Sequence, residues 1–186
     1  MIEKRTLFLL LLAFSFVLGA LSDANASGRK TLFNRGWKFH RGSVANAEQP
    51  EYSDKKWRTL DLPHDWSVDP APMQKEGITI GPFSKMTEGG AGGADTGQTL
   101  GGEGWYRKEF TIEKDDVGKL FSLYFEGVYN QSEVWINGKK VYYNPYGYTS
   151  YKFDITQYCN APGIPNTIAV KVVNSGQNSR WYSGSG

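Results

Sequence analysis

The sequence predicts an all-β fold built as an antiparallel β-sandwich, and three observations support this. After residue 27, no stretch repeats apolar residues at helical spacing. Short runs rich in aromatic and β-branched residues recur instead, about every 10 to 15 residues, with turn-forming residues between them. The chain has 186 residues, of which 15% are aromatic, so it can form one domain with a substantial core.

The clearest local signal is the dipeptide Asn137-Gly138, which lies between two of these runs. Asn-Gly favours a two-residue hairpin turn because both turn residues must adopt positive φ. The other runs are separated by Gly, Pro, Asn or Asp, as expected for strands joined by turns. Strands are predicted at residues 105–112, 120–125, 132–136, 139–143, 148–155 and 167–173.

The N-terminal segment has the three parts of a secretory signal peptide. Lys4 and Arg5 supply a basic start, and residues 7–18 are almost wholly apolar. Ala24-Asn25-Ala26 then offers a small-x-small cleavage pattern. A membrane anchor is the alternative, but the apolar run of about 15 residues is shorter than the roughly 20 that span a bilayer.

We therefore predict a signal peptide at residues 1–26 and an exported domain at residues 27–186, periplasmic or secreted, with no membrane insertion after cleavage. The single cysteine, Cys159, has no partner for an intrachain disulfide and is predicted to be a small buried hydrophobe. A net charge of +2 gives no electrostatic sign of a nucleic-acid partner. One Cys and two His make a metal site improbable, and no cofactor is predicted.

A glycine-rich segment interrupts the strand pattern at residues 73–104. It has few core-forming side chains, so it is predicted to be a long functional or disordered loop rather than a packed strand. The segment contains neither a dinucleotide-binding pattern nor a phosphate-binding Gly-Lys-Ser/Thr ending. A nucleotide site is therefore not expected.

Aromatic residues near strand ends are the most informative candidates for binding. The rings of Trp66 and Trp181 could stack on a sugar while neighbouring polar groups bind its hydroxyls, although a Trp in a sandwich is more often a core residue. His64 is either a turn histidine bonded locally or part of such a site, and Asp65 either caps the loop or accepts ligand hydrogen bonds. The tyrosines at residues 142–151 are interpreted mainly as strand-end packing.

Seven motifs follow one another in a fixed order, and together they are far more specific than any one of them. They cover essentially all of residues 31–186. In chain order they are Phe33-Asn34-Arg35-Gly36-Trp37-Lys38-Phe39, Leu62-Pro63-His64-Asp65-Trp66, Gly104-Trp105-Tyr106-Arg107-Lys108, Phe125-Glu126-Gly127-Val128-Tyr129, Val134-Trp135-Ile136-Asn137-Gly138, Pro145-Tyr146-Gly147-Tyr148 and Asn178-Ser179-Arg180-Trp181-Tyr182-Ser183-Gly184-Ser185-Gly186.

This series resembles the N-terminal sugar-binding domain of glycoside hydrolase family 2, in particular the exported β-galactosidase-like members. The resemblance implies a jelly-roll β-sandwich of the galactose-binding-domain type. It also implies that an immunoglobulin-like domain and a (β/α)₈ barrel follow, with two barrel glutamates performing retaining hydrolysis. The sequence stops inside the last motif, so residues 27–186 are interpreted as a truncated domain that is inactive alone, and no catalytic residue is assigned in it.

The resemblance also implies which residues bind substrate. Asp65 would accept hydrogen bonds from sugar hydroxyls, and Arg180 would donate near the terminal sugar. His64, Trp66 and Trp181 complete the predicted set. Relatives often carry Asp where Val173 stands, which makes the loop leading to Arg180 less certain.

Two other classes of function remain open. The chain could be a free-standing carbohydrate-binding module, which would bind sugar in isolation, or a structural sandwich whose aromatic residues are all core. The family resemblance favours a glycosidase fragment whose partners are a terminal β-galactoside and the downstream domains of the same chain. Glucuronide and mannoside members share this sandwich.

Overall fold

A computed structural model describes residues 28–66, 102–174 and 186, together with the backbone at 90–91 and 99–100. Residues 28–33, at the end of a separate N-terminal unit, have no regular secondary structure, and all strands lie within residues 34–186. The described residues form antiparallel sheets, two 3-10 turns at Lys114–Asp116 and Thr156–Tyr158, and no α-helix. The strands are β1 (Trp37–Arg41), β2 (Arg58–Leu60), β3 (Gly90–Ala91), β4 (Thr99–Leu100), β5 (Gly102–Thr111), β6 (Ser122–Phe125), β7 (Gln131–Ile136), β8 (Lys139–Asn144), β9 (Tyr151–Asp154) and β10 (Pro165–Asn174).

The main sheet has six strands in the order β2-β1-β5-β10-β7-β8, all antiparallel. Its centre is the pair of ten-residue strands β5 and β10, in which Tyr106 lies opposite Val170. The register also places Gly102 opposite Asn174 and Val173 opposite Gln131. The start of β5, the end of β10 and the start of β7 therefore lie at one end of the sheet.

A second sheet, formed by β6 and β9, packs on one face of the main sheet. The ring of Phe153 in β9 stacks on that of Tyr142 in β8, with centroids 4.5 Å apart and planes 4° from parallel. Beside this stack, Ser132 in β7 and Tyr151 in β9 share a buried 2.8 Å hydrogen bond between their hydroxyls. These contacts bury the apolar face of the main sheet, and the arrangement is consistent with a sandwich.

The opposite face of the main sheet is covered by the segment between β1 and β2. Arg107, which is buried in β5, donates from Nε to Asp54 Oδ2 at 3.0 Å and from its Nη atoms to three backbone carbonyls of residues 47–52. Trp57 and Trp105 close the same layer around buried Ala47. One guanidinium thus fixes a segment that has no regular secondary structure of its own.

The predicted Asn137-Gly138 turn is confirmed. Both residues have positive φ, +50° and +77°, as the two-residue hairpin between β7 and β8 requires. The Asn137 side chain also donates to Tyr158 O and Asn166 Oδ1 and accepts from the Thr167 amide. The turn therefore anchors the end of the sheet opposite to the one where β5 begins and β10 ends.

The structure differs from the predictions at four points, three in the strands and one in the burial of Cys159. β1 and β2 were not predicted, because they are short, with five and three residues. The glycine-rich segment, predicted as loop, contains the two-residue strands β3 and β4 and the start of β5. β9 is shorter than predicted. Cys159, predicted to be buried, is half-exposed, although burial still raises the pKa of its thiol to about 11.

Candidate functional site

After β2 the chain turns and runs back across the apolar face of the main sheet, which brings the Pro63-His64-Asp65-Trp66 segment over β1 and β5. The Leu62–Pro63 peptide bond is cis. His64 packs edge-on against Phe39, with ring centroids 4.5 Å apart. Its Nδ1 lies 2.8 Å from Tyr106 Oη, and its Nε2 lies 2.9 Å from Arg58 Nη2. Both ring nitrogens of His64 are thus used in fixing this segment.

The partners of His64 define its tautomer. A guanidinium can only donate hydrogen bonds, so Nε2 accepts the bond from Arg58. Nδ1 then carries the hydrogen in the neutral ring and donates to Tyr106 Oη. These two bonds fix the His64 ring next to Asp65.

Gly186 lies directly beside this segment. Its amide donates to Tyr129 O at 3.1 Å, and its carbonyl accepts from the Tyr129 amide at 2.9 Å. A Cβ atom at this position would lie 2.8 Å from Tyr106 Oη and closer still to the His64 carbonyl oxygen. The φ of +149° also favours glycine. Three separate parts of the chain, around His64, Tyr129 and Gly186, therefore meet at one place.

Asp65 is half-buried at this meeting point, next to His64 in the chain. A carboxylate accepts up to four hydrogen bonds and donates none, which suits it to binding vicinal hydroxyl groups. The site therefore combines a carboxylate, a fixed histidine and a glycine that allows close backbone approach.

Comparison with known proteins identifies the family. The chain matches the family described as "Glycosyl hydrolases family 2, sugar binding domain" over residues 34–185. The chain belongs to this family.

Individual relatives of this glycoside hydrolase family 2 domain are much longer proteins. It is 44% identical to "Beta-galactosidase BoGH2A" of Bacteroides ovatus, over 91% of this chain and 18% of that protein. It is 37% identical to a "Putative beta-glucuronidase" of Formosa agariphila, over 84% of this chain and 14% of that protein. The chain therefore spans less than a fifth of the length of these curated relatives.

Solved structures give the same result. A glycosyl hydrolase family 2 member from Bacteroides cellulosilyticus matches with a TM-score of 0.74 and 41% identity, over 86% of this chain and 19% of that one. A beta-glycosidase from Bacteroides vulgatus matches with a TM-score of 0.72 and 40% identity, over the same shares of the two chains. The sheets described above are thus those of the family 2 sugar-binding domain.

Trp66, one of the predicted sugar contacts, is only 1% exposed. Its ring stacks on Phe39 at 5.9 Å, and a Cβ atom on Gly104 would lie 2.7 Å from it. A ring that is enclosed in this way fills the core and offers no open face to a sugar. Of the predicted set, His64 and Asp65 remain at the accessible meeting point.

Arg180 and Trp181, the other two predicted site residues, lie outside the described residues. The described residues on either side of them are Asn174, at the end of β10, and Gly186, which contacts His64. The carry-over of binding roles to Arg180 and Trp181 stays a prediction.

The structure adds a feature that the sequence analysis had interpreted as packing. Tyr129, Tyr146 and Tyr148 form a cluster in which Tyr148 contacts both other rings, at 5.2 and 5.7 Å. Tyr129 also provides the backbone pair with Gly186. The motif Pro145-Tyr146-Gly147-Tyr148 carried the signal, but its sequence alone does not say which rings face solvent.

Within residues 28–66, 102–174 and 186, no three His, Cys, Asp or Glu side chains come close enough together to hold a metal ion. In the same part of the chain, no helix has the length and apolar character needed to cross a membrane.

Proposed function

We propose that this domain is the N-terminal sugar-binding part of an exported glycoside hydrolase that acts on terminal β-galactosides. The observation that carries the proposal is the family match over residues 34–185, joined to glycosidase relatives that are more than five times longer. A sugar-binding domain at the start of such proteins is best explained as part of a larger enzyme. In the same proposal the sheets have jelly-roll connectivity, and an immunoglobulin-like domain and a (β/α)₈ barrel follow.

The division of labour in the proposed enzyme follows from the chemistry. Retaining hydrolysis needs a nucleophilic carboxylate and an acid/base carboxyl about 5 Å apart. We assign both to the barrel and none to this chain. The domain then contributes loops to the rim of the active site, where Asp65 accepts hydrogen bonds from sugar hydroxyls and Arg180 donates them.

The position of His64 supports this role for Asp65. Hydrogen bonds to Arg58 and Tyr106 fix the histidine and so hold in place the backbone segment that carries Asp65. Fixing a binding group before the substrate arrives reduces the entropy lost on binding.

Two further parts of the proposal rest on different support. A terminal galactoside is favoured because the β-galactosidase relative is 44% identical, whereas the putative β-glucuronidase is 37% identical. Export rests on the three-part N-terminal segment at residues 1–26.

The proposal is tested on the full-length protein encoded beyond codon 186, with methyl β-glycosides of galactose, glucuronic acid and mannose as substrates. We expect hydrolysis of the galactoside and an Asp65→Ala loss of kcat/KM of about 10- to 100-fold, the value of one hydrogen bond to a charged group. The matched control is Asp115→Ala, which removes an exposed carboxylate in the Lys114–Asp116 turn. Equal kinetics for Asp65→Ala and wild type would remove Asp65 from the site.

The continuation of the gene and a binding assay distinguish the proposed enzyme from the rival function, a free-standing carbohydrate-binding module. If a stop codon follows codon 186 and the chain alone binds galactose in isothermal titration, it is a free-standing carbohydrate-binding module. If the full-length protein hydrolyses none of the three glycosides, the glycosidase proposal fails.

A further inference from the structure

The tyrosine cluster of Tyr129, Tyr146 and Tyr148 contains the two most exposed aromatic residues of the described part of the chain. Tyr146 and Tyr148 are 55% and 56% exposed. They are not scattered, because the three rings touch in series, with Tyr148 in the middle. A contiguous exposed aromatic patch on a globular domain marks a binding surface more often than an isolated exposed ring does.

The loop that carries the cluster is firmly held. The buried Asn144 donates from Nδ2 to Tyr146 O at 2.8 Å. Gly147 packs so tightly on the Tyr129 ring that a Cβ atom there would collide with it. The rings are therefore presented to solvent by a backbone that is already ordered, which lowers the entropic cost of binding to them.

The cluster is continuous with the candidate site. The Tyr129 backbone is paired with Gly186 through two hydrogen bonds, and Gly186 contacts the His64 carbonyl next to Asp65. The exposed rings are thus connected to the segment that holds Asp65 through the Tyr129 ring and the backbone pair between Tyr129 and Gly186. A ligand longer than one sugar unit that is anchored at Asp65 would extend along this path.

Other exposed tyrosines do not share these properties. Tyr143 lies on the opposite face of β8, and the Lys140 ammonium covers its ring at 5.5 Å. Its register partner is Glu133, which forms an ion pair with the same Lys140. Tyr143 therefore serves as a matched exposed tyrosine outside the path.

We propose that Tyr146 and Tyr148 bind the sugar unit that is attached to the terminal galactose held at Asp65. This inference rests on the proposed function and extends it, since it assigns a second carbohydrate subsite to the domain. A tyrosine ring offers a flat apolar face for the C–H side of a pyranose, and its hydroxyl can bond with a ring substituent. The enzyme then prefers oligosaccharides to simple galactosides.

The test compares two substrates in the full-length protein. Methyl β-galactoside occupies only the Asp65 subsite, whereas lactose also places a second pyranose on the path. We expect Tyr146→Ala and Tyr148→Ala each to lower kcat/KM for lactose about 3- to 10-fold, the range of a single aromatic contact. We expect kcat/KM for methyl β-galactoside to stay within about 2-fold. Tyr143→Ala should change neither value.

The outcomes separate this inference from the function on which it rests. If wild type hydrolyses neither substrate, the proposed function fails and the subsite fails with it. If wild type hydrolyses both and the tyrosine variants leave lactose unaffected, only the subsite is overturned. If the variants lower kcat/KM equally for both substrates or lower the melting temperature, the cluster is a structural or domain-docking contact and the subsite is again overturned.

Tyr148→Phe keeps the ring and should retain most of the activity on lactose. A loss as large as that of Tyr148→Ala would contradict stacking.

Discussion

His64 Nδ1 lies 2.8 Å from Tyr106 Oη, and this contact joins the loop that carries Asp65 to the centre of the main sheet. The two residues are 42 positions apart in the chain. Because Arg58 donates to the other ring nitrogen, the contact is a donation from histidine to tyrosine. The position of the loop that carries Asp65 therefore depends on a buried residue, since Tyr106 is 4% exposed.

The first prediction concerns this bond. Long-range ¹H–¹⁵N correlation spectra at neutral pH should show His64 as the Nδ1–H tautomer. Tyr106→Phe removes the acceptor and should lower the free energy of unfolding by about 1 kcal/mol, as measured by urea denaturation. Tyr143→Phe is the control, because Tyr143 is exposed. Detection of the Nε2–H tautomer would contradict the assigned direction of both bonds.

The second prediction concerns the contact between Gly104 and Trp66. A Cβ atom at Gly104 would lie 2.7 Å from the Trp66 ring and 3.1 Å from the Phe39 ring, and both rings are buried. Gly104→Ala should therefore destabilise the protein by about 1–3 kcal/mol, the usual cost of overpacking. Gly127→Ala is the control, because no atom lies within 4 Å of its Cβ position. Equal melting temperatures for the two variants would show that Trp66 is not packed in this way.

The third prediction concerns Arg107. Lysine at this position would keep the charge but could not reach Asp54 and three carbonyls at once. Arg107→Lys should cost about 1–3 kcal/mol in the free energy of unfolding, as expected when buried carbonyl groups lose their hydrogen-bond donor. The Lys140–Glu133 ion pair is much more exposed, so Lys140→Gln should cost less than about 1 kcal/mol. A cost for Arg107→Lys as small as that for Lys140→Gln would show that the segment at residues 47–54 holds itself in place.

The fourth prediction concerns alkaline pH. Burial raises the pKa of Tyr151 to about 12, although its hydrogen bond with Ser132 acts in the opposite direction. Between pH 10 and 12 the unfolded chain releases this proton while the folded protein keeps it, taking an ordinary tyrosine pKa of about 10. The stabilising contribution is therefore complete below pH 10 and is lost as the pH rises to 12, at up to about 1.4 kcal/mol per pH unit.

The measurement is urea denaturation across pH 9 to 12 in a Cys159→Ala background, since burial also raises the pKa of the Cys159 thiol. The double variant Ser132→Ala with Tyr151→Phe removes both hydroxyls of the buried pair, so that neither is left without a partner. This variant should lose stability less steeply above pH 10 than the background. Identical slopes would mean that Tyr151 ionises at its ordinary pKa in the folded protein.

Sequence alone could predict the strands that alternate strongly and the turns that need special residues. The hairpin at Asn137-Gly138 is an example, because the positive φ of both residues is a local property. The strand β1 also alternates but has only five residues, and its place depends on pairing with β5, in which Phe39 lies opposite Tyr106. Pairing between distant segments overrides weak local preference.

In the candidate site, too, local motifs could be read from the sequence, whereas contacts between distant segments could not. The motif of residues 62–66 pointed to the loop that carries Asp65, but it could not show that the Trp66 ring would be buried in the core. That outcome depends on Gly104, which lies 38 positions further along the chain and leaves space for the ring. The exposed tyrosines were visible as composition, but their link to His64 runs through Gly186 and required three-dimensional structure.

The asparagine at the hairpin turn has a consequence for chemical ageing. Asn-Gly pairs deamidate readily, because the glycine amide nitrogen can attack the asparagine side-chain carbonyl, and asparagine is among the thermolabile residues. In this protein the Asn137 amide is held by hydrogen bonds to Tyr158, Asn166 and Thr167, which restrain the side-chain rotation that the attack requires. If aspartate did form, the two donations from Nδ2 would be lost and a carboxylate would face the Tyr158 carbonyl. The folded domain therefore slows deamidation of the Asn137-Gly138 dipeptide that its hairpin requires. Unfolding would release the side chain and allow irreversible deamidation.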